Sequence, residues 1–440
     1  MIYPRVLIVA MGRINAADTA NNGLLLRNLF GNWPRENLAQ IFSGGDNGDT
    51  GFFGSYYQLG PRDRRFGQLF FKLKSSDSTA SADCGNAQDC SGDGSRLFSR
   101  IKSLGKYLVL DTGLYELVFQ PRLSGAMCEW VLKFKPDIIF AQGYNLTFSW
   151  LPVMLAKRCH LPIVYYPTDD WPVDLYRDPR AGKIISENIV RTQVENAASV
   201  LVKNASVRLA FNKYMREEYV KRYGFDFNVL MHGDSTKRFK SIKKIRLVDS
   251  SNFWIVSTGV FDHHRTPLLH DLEIACQILN DRGKRIAVSI FHVNLFKASN
   301  FKYLKFYMAP NHDDLAAILR CSDMLFLPER FDKSAEDVRL CISSKAHLFM
   351  CSGRPAIVYA DPRCGICRYA REDGWAAVVD RRDPEMLAAT VERFIDDREY
   401  RESIAIKAKA TLMKNHELAT IQANFQKLVY NSLSCGGTLR

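Results

Sequence analysis

CISSKAHLFMCSGRPAIVYADP, the stretch from Cys341 to Pro362, has the pattern of a helix, a turn and a buried strand. Ser343 or Ser344 can cap the helix, because a serine hydroxyl at this position accepts a backbone N–H. A Ser-Gly pair ends the helix, and the apolar run at 356–359 forms the strand. A helix start that carries hydroxyls and Lys345 is also a place where an anion can bind, although an ordinary capped helix has the same pattern.

Apolar runs alternate with helical segments on both sides of this stretch. A first series extends from RVLIVA at 5–10 to FNVLMHG at 227–233, and it includes AASVLVKNA at 197–205 ahead of a helical segment. A second series extends from FWIVSTG at 253–259 to WAAVVD at 375–380. Continuous apolar strands that alternate with helices are typical of parallel sheets covered on both faces. The sequence therefore predicts an α/β fold of two Rossmann-like domains whose parallel sheets face each other across a cleft.

The two predicted domains meet near residue 235. We expect residues 1–235 to form the first domain, 236–415 the second, and 416–440 a helix and tail that pack back toward the first. Residues 75–95 are small and polar and have almost nothing to bury. They are therefore predicted to be a disordered insertion in the first domain.

The composition is that of an ordinary globular protein. The chain has 440 residues, of which 47% are hydrophobic and 24% charged, enough for two or three domains. The sequence contains neither the ~18 uninterrupted apolar residues of a membrane helix nor a secretory signal pattern. We therefore expect a cytoplasmic protein in which most of the eleven cysteines are free thiols.

The formal net charge of +13 points to an anionic partner or to a solvated basic surface. Part of the charge is local, since KRFKSIKKIR at 237–246 carries six positive charges. We find no helix-turn-helix, zinc-finger or aromatic RNA-binding signature, so we do not expect nucleic acid as a partner. An anionic membrane face or a phosphorylated substrate explains the charge equally well.

Two cysteine pairs raise the question of a metal site. Neither Cys84 with Cys90 nor Cys364 with Cys367 has a second pair at zinc-finger or zinc-ribbon spacing. We therefore predict no metal site.

The carboxyl ends of the strands are where open parallel sheets bind ligands. In the second domain these ends carry Gly259, Arg265, Glu329 and the helix start at 343–345. Cations and helix N–H groups suit a diphosphate, and a carboxylate suits the hydroxyls of a ribose. The alternatives are a surface ion pair for Arg265 and a solvated loop position for Glu329.

The strand ends of the first domain are chemically different. They carry amides, small residues and an aspartate pair, namely Gly12, Asn22, Gly23, Gln142, Asp169 and Asp170. Amides suit a polyhydroxylated acceptor, and a carboxylate can take a proton from it. The aspartate pair can equally form a turn and a helix cap.

Several segments carry a resemblance to a known family by their order and spacing. They are NNGLLLRNLFGNWP at 21–34, PDIIFAQG and LPIVYYPTDDWP within 136–172, LMHGDSTKRF at 230–239, and CSDMLFLP and SSKAHLFMCSGRPAIVYADP within 321–362. Together they resemble the GT-B glycosyltransferases, nearest the large retaining, family 4-like group that contains many bacterial capsule and lipopolysaccharide transferases. The resemblance covers almost the whole chain apart from the insertion.

This resemblance implies roles for residues of the second domain. Arg265 would contact the diphosphate, and Glu329 would be the first glutamate of the family's spaced pair. The Ser-Lys pair at 344–345 would belong to the donor loop. Met308 or Ala309 would lie near the nucleobase.

The resemblance also places Asn22 and Gly23 in the acceptor-side loop, and it is incomplete at three positions. Thr266 stands where a lysine often follows the arginine, and the second glutamate falls near Leu348. The histidine often found after the fifth strand is replaced by Pro-Thr-Asp at 167–169.

The expected function is that of a retaining glycosyltransferase in surface polysaccharide biosynthesis. It would move a sugar from a nucleotide-diphosphate donor, held by the second domain, to a glycan or lipid-linked acceptor, held by the first. We expect no cofactor beyond the nucleotide sugar and no obligatory metal, and an anionic membrane surface is a further candidate partner. The alternatives are a non-catalytic sugar-nucleotide-binding or scaffold protein of the same fold and a nucleotide-sugar epimerase.

Overall fold

The computed structural model describes residues 3–16, 21–44, 51–66, 117–170, 186–241, 243, 245–292 and 301–436. The predicted insertion at 75–95 lies outside these residues.

The first sheet is built from seven parallel strands. They are β1 Val6–Val9, β2 Leu38–Phe42, β3 Ser55–Gln58, β4 Ile138–Ala141, β5 Ile163–Tyr165, β6 Val207–Ala210 and β7 Asn228–Val229. Their spatial order is β3-β2-β1-β4-β5-β6-β7. The central strands β1 and β4 are buried along their whole length, which is why their sequences are continuous apolar runs.

Helices connect these strands and cover the sheet. They are α1 Asn21–Phe30, α2 Gly125–Phe134, α3 Leu146–Cys159, α4 Ser186–Asn204 and α5 Lys213–Tyr223. The starts of α2, α3 and α5 are each capped by the side chain just before the helix, from Ser124, Asn145 and Asn212. Each cap satisfies a backbone N–H that the helix itself leaves unpaired, so it fixes where the helix begins.

The second sheet is built from six parallel strands. They are β8 Phe253–Gly259, β9 Ile286–His292, β10 Leu304–Met308, β11 Met324–Pro328, β12 Ala356–Tyr359 and β13 Ala377–Val379. Their order is β10-β9-β8-β11-β12-β13. The chain changes direction across this sheet between β8 and β11, so the loops after these two strands lie side by side.

The helices of the second half follow the same pattern. They are α6 Thr236–Ser241, α7 Thr266–Asp281, α8 His312–Cys321, α9 Lys345–Ser352, α10 Gly365–Asp373, α11 Pro384–Asp396, α12 Arg398–Asn415 and α13 Leu418–Gly436. The last of these, α13, returns to the first sheet. Phe425 on α13 meets Phe30 of α1 and Phe140 of β4 edge-on, with ring centroids 5.3 Å and 5.9 Å apart.

The predicted α/β fold with two parallel sheets is confirmed, with two corrections of detail. AASVLVKNA does not occupy a strand position, because 197–204 is the end of α4 and the strand of this unit is β6. An apolar run of this length does not distinguish a buried strand from the buried face of a helix. The short strands β2 and β3 were not anticipated, since LAQIF and SYYQ interrupt their apolar residues with glutamine and serine.

Candidate active site

The loop after β8 is organised by Asp262. One oxygen of this carboxylate, Oδ1, accepts the backbone N–H groups of His264 and Arg265, each at 3.0 Å. This turn sets the first residues of α7 and directs the Arg265 side chain toward the neighbouring strand end. The Arg265 side chain is 17% exposed.

Arg265 and Glu329 form an ion pair between the loops after β8 and β11. Nη2 of Arg265 donates to Oε1 and Oε2 of Glu329 at 2.6 Å and 2.9 Å, and Glu329 is buried. Burial alone would lower the pKa of Arg265, but the Glu329 carboxylate, with help from Asp262, raises it. The arginine therefore stays charged at the bottom of the strand-end crevice, and both residues lie where the sequence predicted them.

Lys345 packs directly against Gly259. Gly259 has φ +140°, a value that side-chain-bearing residues rarely adopt, and a Cβ atom at this position would collide with Cε of Lys345. Burial, together with the positive charge of Arg265, lowers the pKa of Lys345 to about 8, although Glu329 and Asp262 act in the opposite direction. Gly259 is thus required for the close approach of the lysine.

The start of α9 differs in one detail from the expected cap. Ser344, the residue before the helix, already has helical backbone angles and is exposed. The Ser343 hydroxyl accepts the Lys345 N–H, at 3.4 Å. Ser343 therefore makes the weak hydrogen bond at this helix start, and Ser344 is exposed beside it.

These groups form a compact charged site at the junction of β8, β11 and α9, in which the carboxylates of Glu329 and Asp262 lie beside two cations. We call the two cations, Arg265 and Lys345, together with the start of α9, the cationic site. Arg265, Lys345 and the N-terminal N–H groups of α9 supply positive charge and donors, which is the chemistry that a diphosphate requires. Glu329 supplies carboxylate oxygens that can accept from hydroxyl groups.

The predicted nucleobase position lies apart from this cluster. Met308 ends the edge strand β10, two strands away from β8, and is 59% exposed. The next residue, Ala309, donates its N–H to the carbonyl of His292 at 2.8 Å, which continues the pairing of β10 with β9.

Neutral side chains line the facing edge of the first sheet. Asn22 and Gln142 exchange two amide hydrogen bonds, at 2.8 Å and 2.5 Å, and Gln142 is fully buried. Gly23 is buried in the first turn of α1, and Gly12 is exposed in the loop after β1. The sequence-predicted amides are thus brought together after β1 and β4.

Gln40 of β2 holds the loop after β1, a role that the sequence analysis did not recognise. Its Nε2 donates to the Gly12 carbonyl at 2.7 Å, and its Oε1 accepts the Ile14 N–H at 3.1 Å. The sequence feature that could have indicated this role is the glutamine within the apolar run LAQIF, which is buried in the structure.

The two aspartates after β5 have different environments. Both oxygens of Asp170 are engaged by Arg222, at 2.6 Å and 2.8 Å, and Tyr219 donates to the same carboxylate at 3.0 Å. Asp170 is buried, whereas Asp169 is only half-buried. These contacts favour a structural role for Asp170, whose catalytic assignment stays a prediction, and they make Asp169 the more accessible candidate proton acceptor.

Asp169 faces the second domain. The Cys341 thiol donates to its Oδ1 at 3.6 Å, two residues before Ser343. Asp169, the candidate proton acceptor, therefore lies next to the segment that leads into the cationic loop 343–345. Cys341 was not singled out from the sequence, because nothing local distinguishes it from the other cysteines.

Among the described residues, no group of three or more His, Cys, Asp or Glu side chains is arranged to hold a metal ion. Of the helices in the described part of the chain, none is both long and apolar enough to cross a membrane.

Known proteins resemble this chain in structure but not in sequence. No protein-family model matches the sequence. No curated protein matches it either.

Many solved structures share the fold. HepE of Anabaena, in complex with UDP and glucose, is 12% identical, with a TM-score of 0.59, 97% of this chain covered and 100% of HepE. An α,α-trehalose 6-phosphate synthase from Burkholderia multivorans is 11% identical, with a TM-score of 0.60 and coverage of 100% and 99%. WaaG, a glycosyltransferase involved in lipopolysaccharide biosynthesis, is 10% identical, with a TM-score of 0.52 and coverage of 96% and 99%.

These similarities extend over whole chains at very low sequence identity. They agree with the α/β architecture of two parallel sheets described above. The chain therefore has the GT-B fold.

Proposed function

We propose that this chain is a glycosyltransferase that moves a sugar from a nucleotide-diphosphate sugar to a glycan or lipid-linked acceptor. The observation that carries the proposal is the cationic site of Arg265, Lys345 and the α9 start, whose loop follows directly on the contact of Cys341 with Asp169. HepE, which has the same fold, binds UDP-glucose. A site with these charges suits the diphosphate of such a donor.

The proposed reaction breaks the bond between the anomeric carbon of the sugar and the diphosphate oxygen. Arg265, Lys345 and the helix N–H groups stabilise the negative charge that develops on the leaving diphosphate, so the site has no obligatory need for a metal ion. An acceptor hydroxyl forms the new bond to the anomeric carbon, and Asp169 takes its proton. The family resemblance implies retention of the anomeric configuration, and retention in a single displacement requires the acceptor hydroxyl to approach from the face that the diphosphate leaves.

A ligand screen by thermal shift tests the donor assignment. The protein is heated with UDP, GDP, ADP and CMP sugars in turn, and a bound ligand raises the melting temperature because it stabilises only the folded state. We expect one class of nucleotide to stabilise the protein clearly more than the others. No stabilisation by any of them would contradict the proposal.

Product analysis of the stabilising sugar nucleotide, without an acceptor, separates the alternatives. A transferase releases free sugar slowly by hydrolysis and leaves the remaining donor unchanged. An isomerised donor would identify an epimerase, and tight binding without any turnover, with or without added glycans, would identify a scaffold.

We further propose that the acceptor is presented at the inner, cytoplasmic face of an anionic membrane, as in surface polysaccharide biosynthesis. WaaG, of the same fold, acts in lipopolysaccharide biosynthesis. The candidate docking surface is the turn at 62–65, where Arg62 and Arg65 are exposed. The basic run at 237–246 is a weaker candidate, because Arg246 is engaged by Asp323 at 3.0 Å.

Vesicle co-sedimentation tests this docking. Each lysine or arginine near an anionic surface contributes ~1 kcal/mol, and salt screens that attraction. We expect binding to phosphatidylserine-containing vesicles at low ionic strength that disappears at high salt and weakens in Arg62→Glu/Arg65→Glu. Absence of binding at low salt would favour an acceptor free in solution.

A further inference from the structure

The segment just before the cationic loop is held by the other domain at three consecutive residues. Glu218 of α5 pairs with Arg339, at 3.3 Å. Asn212 donates from Nδ2 to the Leu340 carbonyl, at 2.7 Å. Cys341 contacts Asp169, as described above. We refer to residues 339–341 as the clamped segment.

Asn212 makes the central contact, and its orientation is fixed. Its Oδ1 accepts the Met215 N–H at 3.0 Å and so caps α5, which forces the amide nitrogen to face the Leu340 carbonyl. Asn212 is completely buried. A buried amide that satisfies a helix start in one domain and a backbone carbonyl in the other holds only when the two domains are close together.

A chain of charges supports the same contact. Arg222 binds Asp170 with two hydrogen bonds and also pairs with Glu218, at 3.1 Å. Glu218 in turn pairs with Arg339, and the Glu218 pKa is lowered because these two arginines outweigh the effect of burial. Asp170, the residue next to Asp169, is thereby connected to the clamped segment through Arg222 and Glu218.

The clamped segment is also fixed within its own domain. A Cβ atom on Gly365, the first residue of α10, would lie 2.6 Å from the Cys341 carbonyl oxygen and 2.9 Å from that of Arg339. Arg368 of α10 donates to the Arg339 carbonyl at 2.7 Å. The segment is therefore attached to both domains, and it links α5 of the first to α10 of the second.

We propose that Asn212 is a positioning residue that couples closure of the two domains to placement of the loop 343–345 opposite Asp169. This inference rests on the proposed function. The nucleotide binds to residues of the second domain alone, so loss of the Asn212 contact leaves nucleotide affinity intact. Turnover falls, because the cationic loop and the proton acceptor are no longer held at the correct separation.

The test compares two substitutions of the same kind. Asn212→Asp keeps the oxygen that caps α5, since aspartate caps helices as well as asparagine, but removes the hydrogen bond to Leu340. The matched control is Asn37→Asp. Asn37 also donates from Nδ2 to a backbone carbonyl at 2.7 Å, that of Tyr3, but within the first domain. Asn212→Ser, which caps but is too short to reach Leu340, serves if the aspartate variant does not fold.

UDP affinity by calorimetry and turnover of UDP-glucose are measured for each variant, with the radius of gyration by small-angle scattering. For Asn212→Asp we expect turnover to fall about tenfold or more, because the buried hydrogen bond to the Leu340 carbonyl is lost and the new carboxylate repels that carbonyl. UDP affinity should stay within about twofold of the wild-type value. The radius of gyration should increase. Asn37→Asp should change none of the three.

Unchanged turnover in both Asn212 variants, or parallel loss of UDP affinity and turnover, would overturn the positioning role. If the wild-type protein binds no UDP and does not turn over UDP-glucose, scattering still decides. Expansion in Asn212→Asp but not in Asn37→Asp supports the coupling, and equal radii refute it.

Discussion

The two edges of the crevice carry side chains of different chemistry. On the edge of the second sheet, which we call the donor edge after its proposed ligand, Arg265 and Glu329 form a charged pair and Lys345 is packed beside them with a lowered pKa. On the facing edge, Asn22 and Gln142 satisfy each other with neutral hydrogen bonds. One edge is electrostatically prepared for an anion, and the other is electrostatically neutral.

This difference has an energetic consequence. A charged site in a partly buried crevice gains 1.5–3 kcal/mol, as a rough figure, from each charge-assisted hydrogen bond to a diphosphate. An amide pair must give up its own hydrogen bonds before it can bind a hydroxyl, so the exchange contributes little net free energy. We therefore expect donor affinity to depend on charge and pH, and acceptor selection to depend on placement.

The largest expected effects distinguish the two aspartates after β5. Asp169→Asn should lower turnover by about 10²–10⁴-fold, as for loss of a general base, and leave the melting temperature close to that of the wild type. Asp170→Asn should destabilise the fold by about 1–3 kcal/mol, because Arg222 loses one of its two anionic partners and keeps only Glu218. Chemical denaturation and steady-state kinetics of both variants measure this.

The two variants control for each other, since they make the same change one residue apart. A stable Asp170→Asn protein with abolished turnover would instead return Asp170 to the catalytic site. Loss of stability in Asp169→Asn would show that Asp169, too, is structural.

The donor edge is tested by removal of its charges. Arg265→Ala and Lys345→Ala should each weaken nucleotide-diphosphate binding about tenfold or more, as expected for loss of one charge-assisted contact. Gly259→Ala should have a similar effect without removing any charge, because its Cβ displaces the Lys345 side chain. Isothermal titration calorimetry measures all three.

Arg393→Ala is the control for net charge, because Arg393 lies on α11 with its side chain 58% exposed. If this variant loses as much affinity as the other three, the effect is due to overall charge. If the three donor-edge variants retain wild-type affinity, the anion binds elsewhere.

The placement of three donor-edge residues was predictable from the sequence, because each lies at the end of a strand or in the loop that follows it, while their role in binding stays a prediction. Gly259, Arg265 and Glu329 come at the carboxyl ends of β8 and β11, and strand-end loops of a parallel sheet converge. The sequence could not show that Arg265 and Glu329 pair with each other, since that requires β8 and β11 to be neighbours in the sheet.

The contacts between the domains were not predictable. Asn212 has a recognisable capping position before α5, but its second partner, the Leu340 carbonyl, lies 128 residues away. Asp169 and Asp170 are indistinguishable as neighbours in sequence, and only the placement of Arg222 on α5 separates their roles. Such assignments depend on contacts between distant parts of the chain, and local periodicity does not predict those contacts.

The smallest expected effect is a pH dependence confined to the donor edge. The Lys345 pKa of about 8 in the folded protein, against an ordinary value of 10.5, means that the lysine loses its proton in a mildly alkaline solution. The charged fraction falls about fourfold between about pH 7 and about pH 8.5, so nucleotide-diphosphate affinity should weaken by up to that factor. Lys345→Met should bind more weakly throughout and show no such decline.

Folding stability should respond with the opposite sign: between about pH 8 and about pH 10.5 the unfolded chain binds the proton more tightly, so the contribution of Lys345 to stability rises with pH. Calorimetric titration and thermal melting of both proteins over this range test the two slopes together. Parallel slopes in the wild type and Lys345→Met would show that another group titrates, and a flat wild-type affinity would place the lysine outside the anion site.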